Sequence, residues 1–411
     1  MQKKIAILHF AYPPNIGGVE ILIREHAKIL SEMGYQVSII TGDGEEKNPK
    51  INFVKIPKIQ SILKFSPALY EKIVEKGVVD DDFYSLADTI KSKLSNYLDQ
   101  QDVIIIHNML TLVHNLPFLY FIKQYFEKNP DKKLIVWAHD QTYIDGENIL
   151  KEKPGVNLNQ EQKDLLLKPI SKAVYVIISE TFKDLLMKVM DLSKNQTVVI
   201  PDGINLQKFL EIDESIWKVV QEKELLSSYP LILSPVNIIF RKNLEYCLDT
   251  IFFLKKYFPN IKYIISGQVS IHRKNQGYYE KLIAQIDRLG LKDNIVFLKD
   301  YFERSLENSE IHDLYDLSDL MFFFSKGENF GLPLLEAALT STPAFVSSLK
   351  VFQEIGENNL YNVDTVNQTA EQTALFVKNF LETDKVIQLK KTVRQKYNLE
   401  TIIKNQLAPL L

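Results

Sequence analysis

The chain has 411 residues, too many for one ordinary hydrophobic core, so two domains are expected. Hydrophobic residues make up 45% and charged residues 25%, a composition that belongs to a globular protein and excludes a disordered or fibrous one. Its 49 basic and 52 acidic residues leave a formal charge of −3, which offers no basic footprint for nucleic acid and no strongly membrane-seeking surface.

The first residues, Met1-Gln2-Lys3-Lys4 before Ile5-Ala6-Ile7-Leu8, have the outline of a signal peptide. The apolar run is short, however, and ends at Tyr12-Pro13-Pro14 without a small-residue cleavage pattern, so 5–10 reads as a first strand. A helix follows over 19–33, where Val19, Leu22, Ile23, Ala27, Leu30 and Met33 share one face, and Gly34 ends it. Strands are expected at 36–41, 103–106, 133–137, 173–178 and 197–200. Short Val/Ile-rich runs separated by helices point to a parallel sheet covered on both faces. The pattern restarts with a strand at 231–233, a helix over about 244–257, and strands at 262–266, 295–298, 320–324 and 344–346. The fold class is therefore α/β with two doubly wound domains, and ligands of such sheets bind at the carboxyl ends of the strands. The expected division is 1–205 and 206–389, with a helical tail over 390–411 returning to the first domain. No run approaches the ~18 apolar residues of a membrane span. The single cysteine, Cys247, lies in an apolar helical pattern and reads as a buried thiol. A cytoplasmic protein is expected.

Four segments carry candidate chemistry. In Pro13-Pro14-Asn15-Ile16-Gly17-Gly18-Val19-Glu20, between the first strand and its helix, Gly17 and Gly18 let the backbone approach a ligand, and the helix start favours an anion. The alternative is a plain tight turn. Trp137-Ala138-His139-Asp140 ends a strand, and His139 there suits contact with a hydroxyl or proton transfer, unless it only binds its own loop. His107 and Asn108 end another strand and, with Asp140, are candidates for the acceptor side. Arg241-Lys242-Asn243 places two cations between a strand and a helix, suited to a departing diphosphate or simply solvated. Finally, Ser325 to Glu336 runs from a strand into a helix with Pro333 in its first turn, so Glu328 and Glu336 are expected to flank one helix start. Carboxylates accept from the vicinal hydroxyls of a hexose or ribose. Asn329, Phe330, Gly331 and Leu332 lie between them, with exposed N–H groups at the last three suited to sugar or phosphate oxygens.

In this order the segments resemble the large retaining glycosyltransferase family of GT-B architecture, family 4, also called glycosyl transferases group 1. The resemblance runs nearly the whole chain and adds Pro201-Asp202-Gly203-Ile204-Asn205, Ser266-Gly267, Asp319 and Ser325. The block from Glu328 to Glu336 is its most specific part. The resemblance implies two Rossmann-like domains facing a central cleft, and transfer of a hexose, mannose or glucose, from a nucleoside diphosphate sugar to an acceptor hydroxyl. It implies that Glu328 binds the donor hexose, Glu336 the ribose and Lys242 the diphosphate. The Gly17-Gly18 loop would lie near the distal phosphate, and His139 would face the transferred sugar. It further implies no cofactor and no protein-bound metal. Two positions depart from the family. Asn237 stands where an arginine is usual, leaving Arg241 to supply the second charge, and Ser341 stands where a glycine is usual. The stretch His107-Asn108-Met109-Leu110-Thr111, with Asn115-Leu116-Pro117 and Trp137 to Asp140, resembles a branch of mannosyltransferases that make small solutes such as mannosylglucosylglycerate. That branch implies GDP-mannose and a small glucosylglycerate-type acceptor. The rival readings are a nucleotide-sugar 2-epimerase and a non-catalytic sugar-nucleotide-binding protein.

Overall fold

A computed structural model of the chain describes residues 2–15, 17–269 and 273–411. Met1 and Ile16, both in segments named above, lie outside the described residues. The described chain forms two compact units, Met1–Gly203 with Leu399–Leu411, and Ile204–Asn398.

The first unit is built on seven parallel strands: β1 Lys4–His9, β2 Gln36–Thr41, β3 Asn52–Lys55, β4 Val103–His107, β5 Lys133–Ala138, β6 Val174–Ile177 and β7 Thr197–Val199. They lie in the order β3-β2-β1-β4-β5-β6-β7. Successive side chains of each strand serve opposite faces. Ala6, Leu8, Ile104, Ile106, Leu134 and Val136 pack with residues of the helices Asp81–Asp99 and Leu116–Lys128. Ile5, Ile7, Val103, Ile105, Ile135 and Trp137 pack on the other face with Leu22, Ile23 and Ala27 of the helix Gly18–Glu32, and with Ile402, Ile403 and Leu407 of the tail. Both faces are covered, which is why these strands read as unbroken apolar runs.

The second unit repeats the plan with six parallel strands: β8 Leu231–Ser234, β9 Lys262–Ile265, β10 Ile295–Phe297, β11 Leu320–Phe323, β12 Ala344–Ser347 and β13 Tyr361–Val363. Their order is β10-β9-β8-β11-β12-β13. Thus the strand order reverses beside β1 in the first unit and beside β8 in the second. Cys247 is fully buried in the helix Leu244–Lys255 of this core, where burial pushes its thiol up to about 12.

One boundary differs from expectation. The tail does not leave the second unit at residue 390. The helix Lys385–Lys396 stays there because buried Arg394 grips Asp319 with both guanidinium nitrogens, at 3.0 and 2.8 Å. Only Leu399–Leu411 joins the first unit. Ser341 also departs instructively. It holds a left-handed backbone, φ 54, a conformation that glycine adopts without strain. A side chain there strains the turn, so Ser341→Gly is expected to stabilise the protein by about 1 kcal/mol, measured by urea unfolding.

Candidate functional site

In the second unit the chemistry gathers at the carboxyl ends of β8 and β11, the two strands between which the order reverses. This is the usual ligand position in an open α/β sheet. After β8 the chain makes a short 3-10 turn, Phe240–Lys242, closed by Asn243 in the left-handed conformation, φ 55. Asparagine tolerates that conformation, and it lets Arg241 and Lys242 face β11 before the next helix begins at Leu244. The loop after β11 comes to meet them, its Lys326 N–H donating to the Arg241 carbonyl at 2.7 Å.

There the carboxylate of Glu328 accepts from Lys242 Nζ on one oxygen and pairs with Arg241 Nη1 at 2.7 Å on the other. Ser325 Oγ donates to the same oxygen as Lys242, at 2.9 Å. Arg241 Nη1 also donates to the Gly327 carbonyl at 3.1 Å. The Glu328 and Lys242 side chains are 9% and 10% exposed, whereas Arg241 is half open at 52%. Lys242 Nζ also sits 4.8 Å from the centre of the Phe323 ring. Burial pulls the Lys242 amine below its ordinary range, against the pull of Glu328. Burial pushes Glu328 up, but hydrogen bonds from Lys242 and Arg241 outweigh it and hold the carboxyl below its ordinary range. The site is therefore a preformed ion triad, with one dry cation and one wet one.

Asn237 does not join this triad through any hydrogen bond described. Its Oδ1 accepts from the Gln268 N–H at 3.2 Å, and a Cβ on Gly267 would meet its backbone at 2.5 Å. Asn237 thus braces a neighbouring loop, and Arg241 provides the second positive charge at Glu328.

Glu336 was expected in or near the first turn of its helix. The helix is Leu332–Leu339, so Glu336 lies in the second turn. It is held by the hydroxyl of Tyr315, which donates to Glu336 Oε2 at 3.0 Å and also reaches the Pro333 carbonyl at 3.1 Å. Gly331 turns the chain into this helix with φ 122, and a Cβ there would come within 2.9 Å of Phe352. Phe330 and Leu332 are exposed, at 50% and 62%, and Asn329 is exposed with them.

In the first unit a second constellation occupies the equivalent place. His9 ends β1, His107 ends β4, and His139 follows β5. His139 Nδ1 lies 3.2 Å from Asp202 Oδ2, and its Nε2 lies 3.2 Å from His107 Nδ1. The rings of His107 and His139 stack at 5.5 Å, and His107 stacks on Trp137 at 4.9 Å. His26 leans on both His107 and Trp137. His9 Nδ1 lies 2.8 Å from the His107 carbonyl oxygen, and its other nitrogen faces Glu20 at 3.7 Å. Glu20 belongs to the helix opened by Gly18, so the glycine turn is tied to the same cluster. Burial, reinforced by neighbouring histidines, holds His107 well below the ordinary imidazole range. Burial likewise holds His26 at about 3.

Two acceptor-side expectations need correction. His107 is 0% and Asn108 6% exposed, so neither side chain is open to an acceptor. Asn108 is a scaffold: with φ 52 it turns its amide back to donate to Asp140 Oδ2 at 2.9 Å and to accept from the Asp140 and His139 N–H groups at 2.8 and 3.2 Å. Asp140 is exposed. Sequence reasoning gave no contact role to Asp202, His9 or His26. Their only common signal is a polar residue at or near a strand's carboxyl end, and for His26 there is none. Among the described residues no group of three or more His, Cys, Asp or Glu side chains is disposed to hold a metal ion. Nor is any described helix long and apolar enough to cross a membrane.

Comparison with known proteins adds the following. Residues 215–401 match the family described as glycosyl transferases group 1. The mannosylglucosylglycerate synthase of Petrotoga mobilis is 23% identical over 375 residues, covering 85% of this chain and 84% of its own. An uncharacterized glycosyltransferase of Methanocaldococcus jannaschii is 22% identical over 423 residues, covering 98% and 96%. The O-antigen chain mannosyltransferase RfbU of Salmonella typhimurium is 30% identical over 98 residues, covering 24% and 26%.

Proposed function

We propose that this protein is a glycosyltransferase of the group 1 type that moves a hexose, with retention, from a nucleoside diphosphate sugar to the hydroxyl of a small acceptor. The observation that carries the reading is the triad of Glu328, Lys242 and Arg241 at the reversal point of the second sheet. A diphosphate is the ligand for two convergent cations, and a carboxylate between them suits the hydroxyls of the attached sugar. As the diphosphate departs, negative charge grows on it, and cations already in place stabilise that charge without reorganising. Partial dehydration of Lys242 strengthens the effect. Glu336, oriented by Tyr315, is assigned the ribose hydroxyls. His139 and the Gly17-Gly18 turn are assigned the reacting end of the donor, and exposed Asp140 the acceptor. No protein-bound metal is part of this reading. The finer reading is mannosyl transfer from GDP-mannose to a glucosylglycerate-type acceptor, supported by the relative in Petrotoga mobilis over most of both chains.

The test is a panel of GDP-mannose, UDP-glucose, ADP-glucose and UDP-GlcNAc, followed by thermal shift and by mass spectrometry with glucosylglycerate. GDP-mannose is expected to raise Tm most and to add one hexose mass to the acceptor. If no nucleotide sugar raises Tm, the donor reading is wrong. If donor alone is epimerised without acceptor, the protein is an isomerase.

A further inference from the structure

The first constellation contains more order than contact with a sugar requires. We propose that His107 is a positioning residue that, with Asp202, fixes the ring orientation of His139 and holds it in a single tautomer. This rests on the reading that His139 faces the transferred sugar.

The assignment follows from counting protons. His139 Nδ1 faces the carboxylate of Asp202 at 3.2 Å, and an ionised carboxylate only accepts, so Nδ1 carries a hydrogen. In a neutral ring Nε2 then holds a lone pair. That lone pair faces His107 Nδ1 at 3.2 Å, and two imidazole nitrogens at this distance share one proton, so His107 is the donor. The other nitrogen of His107, Nε2, is thereby unprotonated, and it is buried with no hydrogen-bond partner. The opposite assignment would bury an unpaired N–H instead, the rarer and costlier situation.

The benefit is preorganisation. With both nitrogens engaged, the His139 ring presents one fixed face and one fixed dipole, and it takes no part in proton transfer.

The test is long-range 1H–15N spectroscopy of the full-length protein labelled at histidine, without substrate. The expected result is Nδ1–H for both His139 and His107. In His107→Phe, the His139 resonances should broaden or split between two tautomers. In His107→Asn, whose amide nitrogen stands in for Nδ1, the single Nδ1–H tautomer should return. With the donor selected by the panel above, His107→Phe should lower kcat about 10-fold with KM for the donor little changed, and His107→Asn should recover most of it. An Nε2–H tautomer of His139 in the unaltered protein, or His107→Asn behaving like His107→Phe, would overturn the proposal. The spectrum needs no substrate, so a failed donor assignment leaves this outcome readable on its own.

Discussion

Glu328→Gln is expected to lower hexose transfer by about 10²–10³-fold while free nucleoside diphosphate binds about two- to fivefold more tightly. The two effects have opposite signs because Glu328 has two partners in turn. Its carboxylate is saturated by Lys242, Arg241 and Ser325. A diphosphate must draw both cations away from it, so removing the carboxylate's charge removes a competitor. Arg241 is half exposed and its pair is worth little, which keeps the gain small. The sugar loses far more. Once the phosphates engage the cations, the freed carboxylate becomes a strong acceptor for hexose hydroxyls, and an amide of the same shape is weaker and misassigned in donor and acceptor. Interactions that strengthen toward the transition state appear in kcat and not only in KM. Calorimetry with GDP and UDP, beside initial rates with the intact sugar nucleotide, separates the two terms. If diphosphate binding falls in step with transfer, Glu328 is a scaffold for the cations and not a sugar ligand.

The sequence was most legible where the physics is local. The interior strands announced themselves, since strands buried on both faces must be apolar along their length. In the two parallel sheets, the strands that went unread, β3 (Asn-Phe-Val-Lys) and β13 (Tyr-Asn-Val), are edge strands, short and only partly buried. An edge strand has no second neighbour to demand a hydrophobic code. The same division holds for the sites. Arg241, Lys242 and Glu328 were recognisable by type and by their place after strands, but their mutual pairing across 86 residues depends on β8 and β11 being adjacent. Asp202 stood out only as part of a connecting segment, yet it holds His139 from 63 residues away. His107 was visible as a histidine at a strand end, and the error lay in giving it to the acceptor. Nothing in the local pattern distinguishes a buried imidazole that positions a neighbour from an exposed one that meets a ligand. Asp319 was noted as well, but its partner Arg394 lies in a polar, basic helix that looks like an ordinary surface element.

Arg394→Met is expected to destabilise the second unit by about 3–5 kcal/mol, the usual consequence of leaving a buried charge without its partner. Asp319 is 0% exposed, and its two oxygens receive both guanidinium nitrogens, while Oδ2 also accepts the Leu231 N–H at 2.7 Å, at the first residue of β8. Arg394 is 4% exposed and extends the same knot by donating to the Leu317 and Ser228 carbonyls at 3.1 Å each. One salt bridge therefore fastens the helix Lys385–Lys396 to the amino ends of the two central strands, opposite the edge that carries the ion triad. Removing the arginine strands a carboxylate in the core, whereas replacing both partners at once, Arg394→Met with Asp319→Leu, should recover most of the loss, because neither charge then needs solvation. Recovery will be incomplete, since the Leu231 N–H and the two carbonyls lose a partner in either case. The two tryptophans lie one in each unit, Trp137 in the first and Trp217 in the second, so urea unfolding followed by Trp217 emission in a Trp137→Phe background reports the unit concerned. A loss below 1 kcal/mol for Arg394→Met would mean that the pair is dispensable and that the apolar contacts of this helix alone keep residues 385–396 on the second unit.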